Sequence, residues 1–536
     1  MGAIKKGILL LNTIKHLKFR QIINQITVRF KHKERFWNYE KKGIKYTDYD
    51  LWIDALDNNK TVFERFSPEL LLNGQLTLLN ESRLFDRWRF SDASHLWNYN
   101  VHYLEYLVPL ASLWFLTGEE KYKTKLNEIL EDWFIVGSKE ADSNQPYTIS
   151  LRIINQLVIS EAVDNRQELY DSIYAQYRFL LKHQEKHLLG NHYLENLKAI
   201  VVCSIVFDEE EVYKRSIKLL LRELKEQVTK DGMHYELSIM YHKLVLEDLI
   251  RVATVLRKAN KKEYSLIVQY IEKMSSALYS IEFGIGSTPL FNDSGNNVAK
   301  PTDALLRVCR EQFCTNLQKK NSVSGYYKLY DGKITVIFDC GVLAPSYMPG
   351  HAHCDCLSFE LYYDNEPLFV NSGTYQYQGE KRNFFRSTQA HNTVSINGHE
   401  QSELWGEHRA GRRLSRVNCV FRDGSVIGSY RNYLGETHRR DFWLDKGCFY
   451  VTDKTSGAGK SYLHIAPNVT FKENIIIWRN LEIRVLPVDS EMSFEKSYYA
   501  PEFGELLENE CIVFSWSNDS KEHGYIIEIK EKNKDD

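Results

Sequence analysis

An all-α half followed by an all-β half is the fold class this sequence predicts, and a single change of pattern carries the prediction. From about residue 100 to 315 the apolar residues recur at helical spacing, with few glycines and no sustained alternation. After about residue 325 the period drops to two, in short runs broken by turn dipeptides. Between them STPLFNDSGNN (287–297) reads as a loop by its Gly, Pro, Asn and Asp content. Helices first and strands second imply segregated domains rather than one mixed sheet. A chain of 536 residues has room for both cores.

Taken in order, the N-terminus MGAIKKGILLLNTIKHLKFRQ has two lysines before a short apolar run that Asn12 and Lys15 interrupt. Lacking a small-residue cleavage site, it falls short of a secretory leader and of a membrane span. The expectation from this is a chain in the cytoplasm or peripherally on an inner membrane. The basic stretch KHLKFRQIINQITVRFKHKERF fits an amphipathic helix on a membrane surface or against a partner, and equally an ordinary basic surface helix. Residues 1–50 are therefore set apart as a basic segment, with the helical domain at 51–318 and the strand domain at 319–536. NVHYLEYLVPLASLWFL (100–116), YTISLRIINQLVISEAV (147–163) and EEEVYKRSIKLLLRELKEQV (209–228) are successive amphipathic helices. In YYKLYDGKITVIFDCG an Asp-Gly turn joins two alternating runs, a hairpin signal. TVSING, SVIGSY, CFYVTD, IIIWRNLEIRVLPV and CIVFSW continue as strands, up to the charged tail KEKNKDD.

Composition removes some function classes. A formal net charge of −2 gives no basic footprint for nucleic acid. The 33 Tyr, 26 Phe and 10 Trp suit sugar-binding clefts and large cores alike, so they do not choose between them. Nine cysteines, an odd number, do not form a disulfide framework; reduced, buried thiols are expected.

GHAHCDCLSF (350–359) concentrates the chemistry-bearing residues. LSFELYYDNEPLFVNSG alternates around Asp364-Asn365, which extends 351–363 as one strand of a hairpin. On a strand, His351, His353 and Asp355 share one face, while Ala352, Cys354 and Cys356 share the other. The cysteines are then small apolar residues facing the sheet interior. Two helical segments supply groups to meet the histidine face. In LGNHYLENLKAIVVCSIVF, Gly190 and Asn191 mark a helix start, with His192 and Glu195 three apart on one face; capping is their bland role. In DGMHYELSIMYHKLVLEDLI, Ser238 is an N-cap and Tyr241 sits in the first turn beside His242; plain packing is the bland role there.

GNHYLENLKAI, DGMHYELSIMYHKLVLEDL, GHAHCDCLSFELYYDNEPLFVNSGTYQY and FRSTQAHNTVSING, in this order over roughly residues 90–450, resemble the heparinase II/III family of polysaccharide lyases. The resemblance implies an incomplete α/α toroid followed by an antiparallel β-sandwich, with a cleft for an acidic polysaccharide between them. It also implies β-elimination in a uronic acid chain. The C5 proton is weakly acidic, so the adjacent carboxylate must be neutralised while charge develops. By resemblance, Asn191 and His192 neutralise that carboxylate and His351 joins them. Tyr241 removes the C5 proton, protonates the leaving oxygen, or does both. Donor or cationic neighbours such as His192 and His351 are expected to lower its phenol pKa. Glu195 matches an acidic position that orients His192, and Arg152 sits where toroid lyases often hold the acidic substrate.

Some members of the family hold a structural zinc, at positions that here read His353, Asn371 and His391. An amide oxygen is a poor zinc ligand beside a carboxylate, although Asp355 on the same face keeps a site open. The elimination requires no cofactor, and zinc is expected well below one ion per chain. Two other functions share these residues: a uronyl C5-epimerase of the same architecture, and a silent glycan-binding protein.

Overall fold

The structure, a computed structural model, describes residues 3–30, 34–58, 60–422, 424–467, 469–472, 475–517 and 521–531. Parts of the predicted basic segment (1–2 and 31–33) and of the charged tail (532–536) lie outside the described residues. The helical half is an incomplete α/α toroid and the second half is an antiparallel β-sandwich.

Two N-terminal helices, α1 (Ala3–Ile14) and α2 (Phe19–Phe30), precede the toroid. The toroid is built of helical hairpins: α3 (Val108–Thr117) with α4 (Glu120–Ile135), α5 (Pro146–Val158) with α6 (Arg166–Lys182), α7 (Gly190–Val206) with α8 (Glu210–Gln227), and α9 (Ile239–Lys258) with α10 (Tyr264–Glu282). Helices α5, α7 and α9 pack on one another as an inner layer. Their sequences explain the placement. Nearly all of α7 is buried, and ENLKAIVVCSIV is apolar around most of its circumference, as an inner helix must be. Outer helix α8 buries Tyr213, Ile217, Leu220 and Leu224, a single stripe at helical spacing. The segment 100–116 is not one helix. Leu104, at φ 59°, breaks it into a short N-terminal piece and α3.

The β half comprises a five-stranded, a four-stranded and an eight-stranded antiparallel sheet. Strands Tyr326–Asp331 and Ile334–Asp339 pair through the Asp-Gly turn, and Ser358–Tyr363 pairs with Glu366–Phe369. The second turn, Asp364-Asn365, has both residues at positive φ (50° and 68°), the conformation that suits a two-residue hairpin. The five-stranded sheet joins the domains. Ile337 and Tyr362 belong to the helical core, whereas Phe338, Phe359 and Leu361 fill the sandwich core. All nine cysteines are free, and only Cys314 is exposed.

One expectation fails at the site itself. The strand begins at Ser358, and 351–357 is a loop. Leu357 adopts φ 59°, a left-handed conformation that ends extended pairing before residue 358. This loop is held from behind. Buried Arg440, paired with buried Asp453 at 2.6 and 2.8 Å, donates to the Leu357 carbonyl at 3.0 Å and the Asn392 carbonyl at 2.7 Å. The carbonyls and the carboxylate together satisfy a cation that is otherwise costly to bury.

Candidate active site

Gly190 opens α7 at φ 56°, and a β-carbon there would run into Met348 of the strand domain and approach Glu236. Only glycine tolerates both the backbone angle and the close approach, so the two domains meet at the first turn of α7. The next two residues are Asn191 and His192. Asn191 donates its backbone N–H to Glu236 Oε1 at 3.4 Å and its side-chain amide to the Tyr147 hydroxyl at 3.1 Å. Its buried Oδ1 has no partner. The His192 ring lies 4.6 Å from that of Tyr147, and its Nδ1 is 3.2 Å from Glu185 Oε1. Burial lowers the His192 pKa, but the Glu185 carboxylate, with Glu236 and Glu195 beyond it, outweighs burial and leaves the imidazole above its usual value. His192 is thus biased toward a cation at the mouth of the cleft.

Tyr241 lies in the first turn of α9, as expected from its sequence. Ser238 is the N-cap, and its hydroxyl accepts the Tyr241 N–H at 3.2 Å. The Tyr241 and His351 rings sit 4.1 Å apart, and the Tyr241 hydroxyl is 2.9 Å from that of Tyr377. His351 comes from the strand domain and is fixed by Asp293, whose Oδ2 is 2.9 Å from Nδ1. Its other nitrogen, Nε2, faces Glu236 Oε2 at 3.8 Å. Glu236 therefore lies between the toroid groups and His351. Asn191, His192, Tyr241 and His351 converge around it.

Asp293, from the 287–297 loop, is fully buried behind His351 and His353. It takes two bonds from Arg382, the Arg382 Nη2 one at 2.7 Å, and lies 2.8 Å from His353 Nε2. Burial pushes its pKa up, but Arg382 and the two histidines overcome this and hold the carboxyl well below the usual carboxylate range. Glu236 differs. Burial dominates there and raises its pKa, and its Oε2 has no hydrogen-bond partner among the described residues.

Three expectations are corrected. Arg152 does not reach the cleft: it is fully buried, donating to Gln176 Oε1 at 2.8 Å, the His102 carbonyl at 3.0 Å and the Ser143 carbonyl at 2.8 Å. Its guanidinium also lies over Trp133, so its role is to brace the toroid. Glu195 does not orient His192; it is buried against Lys198, one turn on, which also pairs with Asp248. Glu185 takes the orienting position. Nor is the Tyr241 phenol acidified. Burial raises its pKa well above the ordinary value, Asp293 and Glu236 push the same way, and only the Tyr377 hydroxyl opposes them. Asp293, Glu236, Tyr377 and Glu185 were not singled out from the sequence.

The expected metal positions are brought together, with a change of ligand. His353, Asp355 and His391 have donor atoms within 4.8 Å of one another, all buried. His353 Nδ1 and His391 Nε2 have no hydrogen-bond partner among the described residues, and burial depresses both imidazole pKa values, favouring the neutral, ligating form. The donor set fits a divalent ion of the zinc type, which would tie the site loop to the 388–391 turn. Asn371 stands beside it instead, with Oδ1 2.7 Å from Ser358 Oγ and 3.3 Å from His391 Nδ1. The three donors are one short of a closed tetrahedral set, and Asp355 Oδ2 already accepts the Asn292 N–H at 2.7 Å, so occupancy should be low. Elemental analysis should find well under one zinc per chain, rising in Asn371→Asp. No rise in that variant, or a full zinc in the wild type, would overturn this expectation.

The comparisons with known proteins bear on family and fold. The family's "Heparinase II/III N-terminus" matches residues 85–319, and "Heparinase II/III-like, C-terminal" matches 316–525. The heparin-sulfate lyase of Pedobacter heparinus is 26% identical over 437 residues, which cover 70% of this chain and 62% of that lyase. FtsZ-localized protein C of Caulobacter vibrioides is 23% identical over 341 residues, covering 59% of this chain and 58% of that protein. Among solved structures, heparinase III superposes with a TM-score of 0.69 at 16% identity, covering 93% of this chain and 89% of that one, a likeness of fold. With both halves matched in order and the same architecture in three dimensions, the chain belongs to the heparinase II/III family.

Proposed function

We propose that this protein is a polysaccharide lyase that cleaves a uronate-containing chain by β-elimination between its two domains. The observation that carries the proposal is the Tyr241–His351 pair, one residue from each domain, with ring centres 4.1 Å apart and His351 held by buried Asp293. With its Nδ1–H given to Asp293, His351 presents the Nε2 lone pair to the cleft and takes the C5 proton of the uronate. The electron pair forms the C4=C5 double bond, the C4–O4 bond breaks, and the protonated Tyr241 phenol delivers its proton to the departing oxygen. Asn191 and cationic His192 receive the uronate carboxylate, where charge accumulates as the C5–H bond opens. Tyr377, hydrogen-bonded to Tyr241, fixes the direction of the phenol O–H.

An epimerase shares the first step and returns a proton to the opposite face of C5. A silent binding protein is the third reading, because the chain is also similar to a protein named for its localisation. Incubation with heparan sulfate, chondroitin sulfate, alginate and glucuronan in heavy water separates the three. Ultraviolet absorbance of a 4,5-unsaturated uronate is the expected result on at least one polymer. Deuterium at C5 without that chromophore establishes the epimerase, and binding with neither change establishes the silent protein.

A further inference from the structure

The first 33 residues contain eight Lys or Arg and no Asp or Glu, in a chain of net charge −2. Within them, α1 and α2 dock with their polar faces inward. From α1, Asn12 donates to Glu403 at 3.3 Å, and Thr13 bonds the Ala410 carbonyl at 3.1 Å and the Trp405 indole at 2.9 Å. From α2, Arg20 reaches Glu223 at 3.0 Å and Gln21 donates to the Leu188 carbonyl at 3.2 Å. Leu9 is buried with these polar groups and Ile22 is half-buried, but most of the apolar residues are left outside. Ile4, Ile8 and Leu11 recur one turn apart on α1, and Phe19, Ile23 and Ile26 do so on α2. All six are exposed; Ile4 keeps 83%, Leu11 69% and Phe19 77% of their accessible surface. Lys5, Lys6, Lys15 and Arg29 are exposed on the same two helices. An amphipathic helix normally buries its apolar stripe against the core, so two stripes turned to solvent amid cations call for an apolar, anionic surface.

We infer that α1 and α2 seat the protein on an anionic lipid surface, with the apolar stripes entering the acyl boundary and the lysines meeting headgroups. Among the described residues no helix is long and apolar enough to cross a membrane, so the attachment is peripheral. The seat lies beside the cleft on both sides. α1 rests on the 403–413 segment, whose His408 ring is 6.4 Å from that of His351, and α2 rests on the 187–188 turn just ahead of Asn191.

Co-sedimentation with phosphatidylcholine vesicles, with and without phosphatidylglycerol, tests the inference on the full chain. Binding should require phosphatidylglycerol and weaken as salt rises. Ile8→Ser, Leu11→Ser, Phe19→Ser and Ile23→Ser combined should cost at least about tenfold in partition, and Lys5→Gln, Lys6→Gln and Lys15→Gln combined a similar factor. Every replaced side chain is on the surface, so thermal midpoints should hold in both variants. No binding to phosphatidylglycerol vesicles, or equal binding by the serine variant, would sink the idea. So would self-association without lipid that the serine substitutions abolish, which would make a second copy the occupant.

Discussion

Tyr241→Phe should lower turnover by about 10²–10⁴-fold while leaving the fold and substrate binding nearly unchanged. Only one oxygen is removed, and the ring keeps its packing against His351, 4.1 Å away. The lost partner is the Tyr377 hydroxyl at 2.9 Å, a single hydrogen bond between two hydroxyls. Because burial and the nearby Asp293 and Glu236 carboxylates keep the phenol protonated, its proposed part is to donate a proton, not to remove one. That distinction can be measured. A substrate with fluoride at C4 leaves without protonation, so Tyr241→Phe should recover most of its loss on it. His351→Ala should not recover, because C5–H removal is still required. A Tyr241→Phe protein that kept more than about a tenth of kcat on the natural linkage would remove the residue from the mechanism. Equal loss on both substrates would instead make Tyr241 the base.

Much of this arrangement was legible in the sequence because it depends on local rules. Ser238 caps the helix carrying Tyr241, and Gly190 starts the helix carrying Asn191 and His192. What was missed depends on long-range contacts. Asp293 sits in STPLFNDSGNN, where Asp, Asn, Gly and Pro look like ordinary turn residues; burial against Arg382 sets it behind His351 and His353. Glu236 gains its raised pKa from burial, which no local window reports. Arg152 was misplaced because a helical arginine carries no mark of the face it will occupy. Its buried neighbours Ile149 and Gln156, three back and four on, were the available hint that it faces inward. For Glu195 the signal was present in Lys198, three residues on, a spacing that pairs charges along a helix.

The other large effect belongs to Asp293→Asn, which keeps the shape and removes the charge. Buried Arg382 then has no anion, and breaking a buried pair by neutralising one partner costs about 3–5 kcal/mol. His351 loses the ionised acceptor at 2.9 Å that sets its tautomer, so Nε2 is no longer reliably the free nitrogen facing the cleft. Turnover should fall by at least about a hundredfold with KM little changed, since Asn191 and His192 still receive the substrate. Stability and catalysis can be parted by a second change. Asp293→Asn combined with Arg382→Met removes both charges and substitutes a side chain of similar length, so the denaturation midpoint should recover most of the loss. Activity should not recover, because His351 still lacks its partner. Recovery of turnover along with stability would mean that Asp293 matters only as the counter-ion of Arg382. His351 would then have to be oriented from the other side of the cleft, where Glu236 Oε2 already stands 3.8 Å from its Nε2.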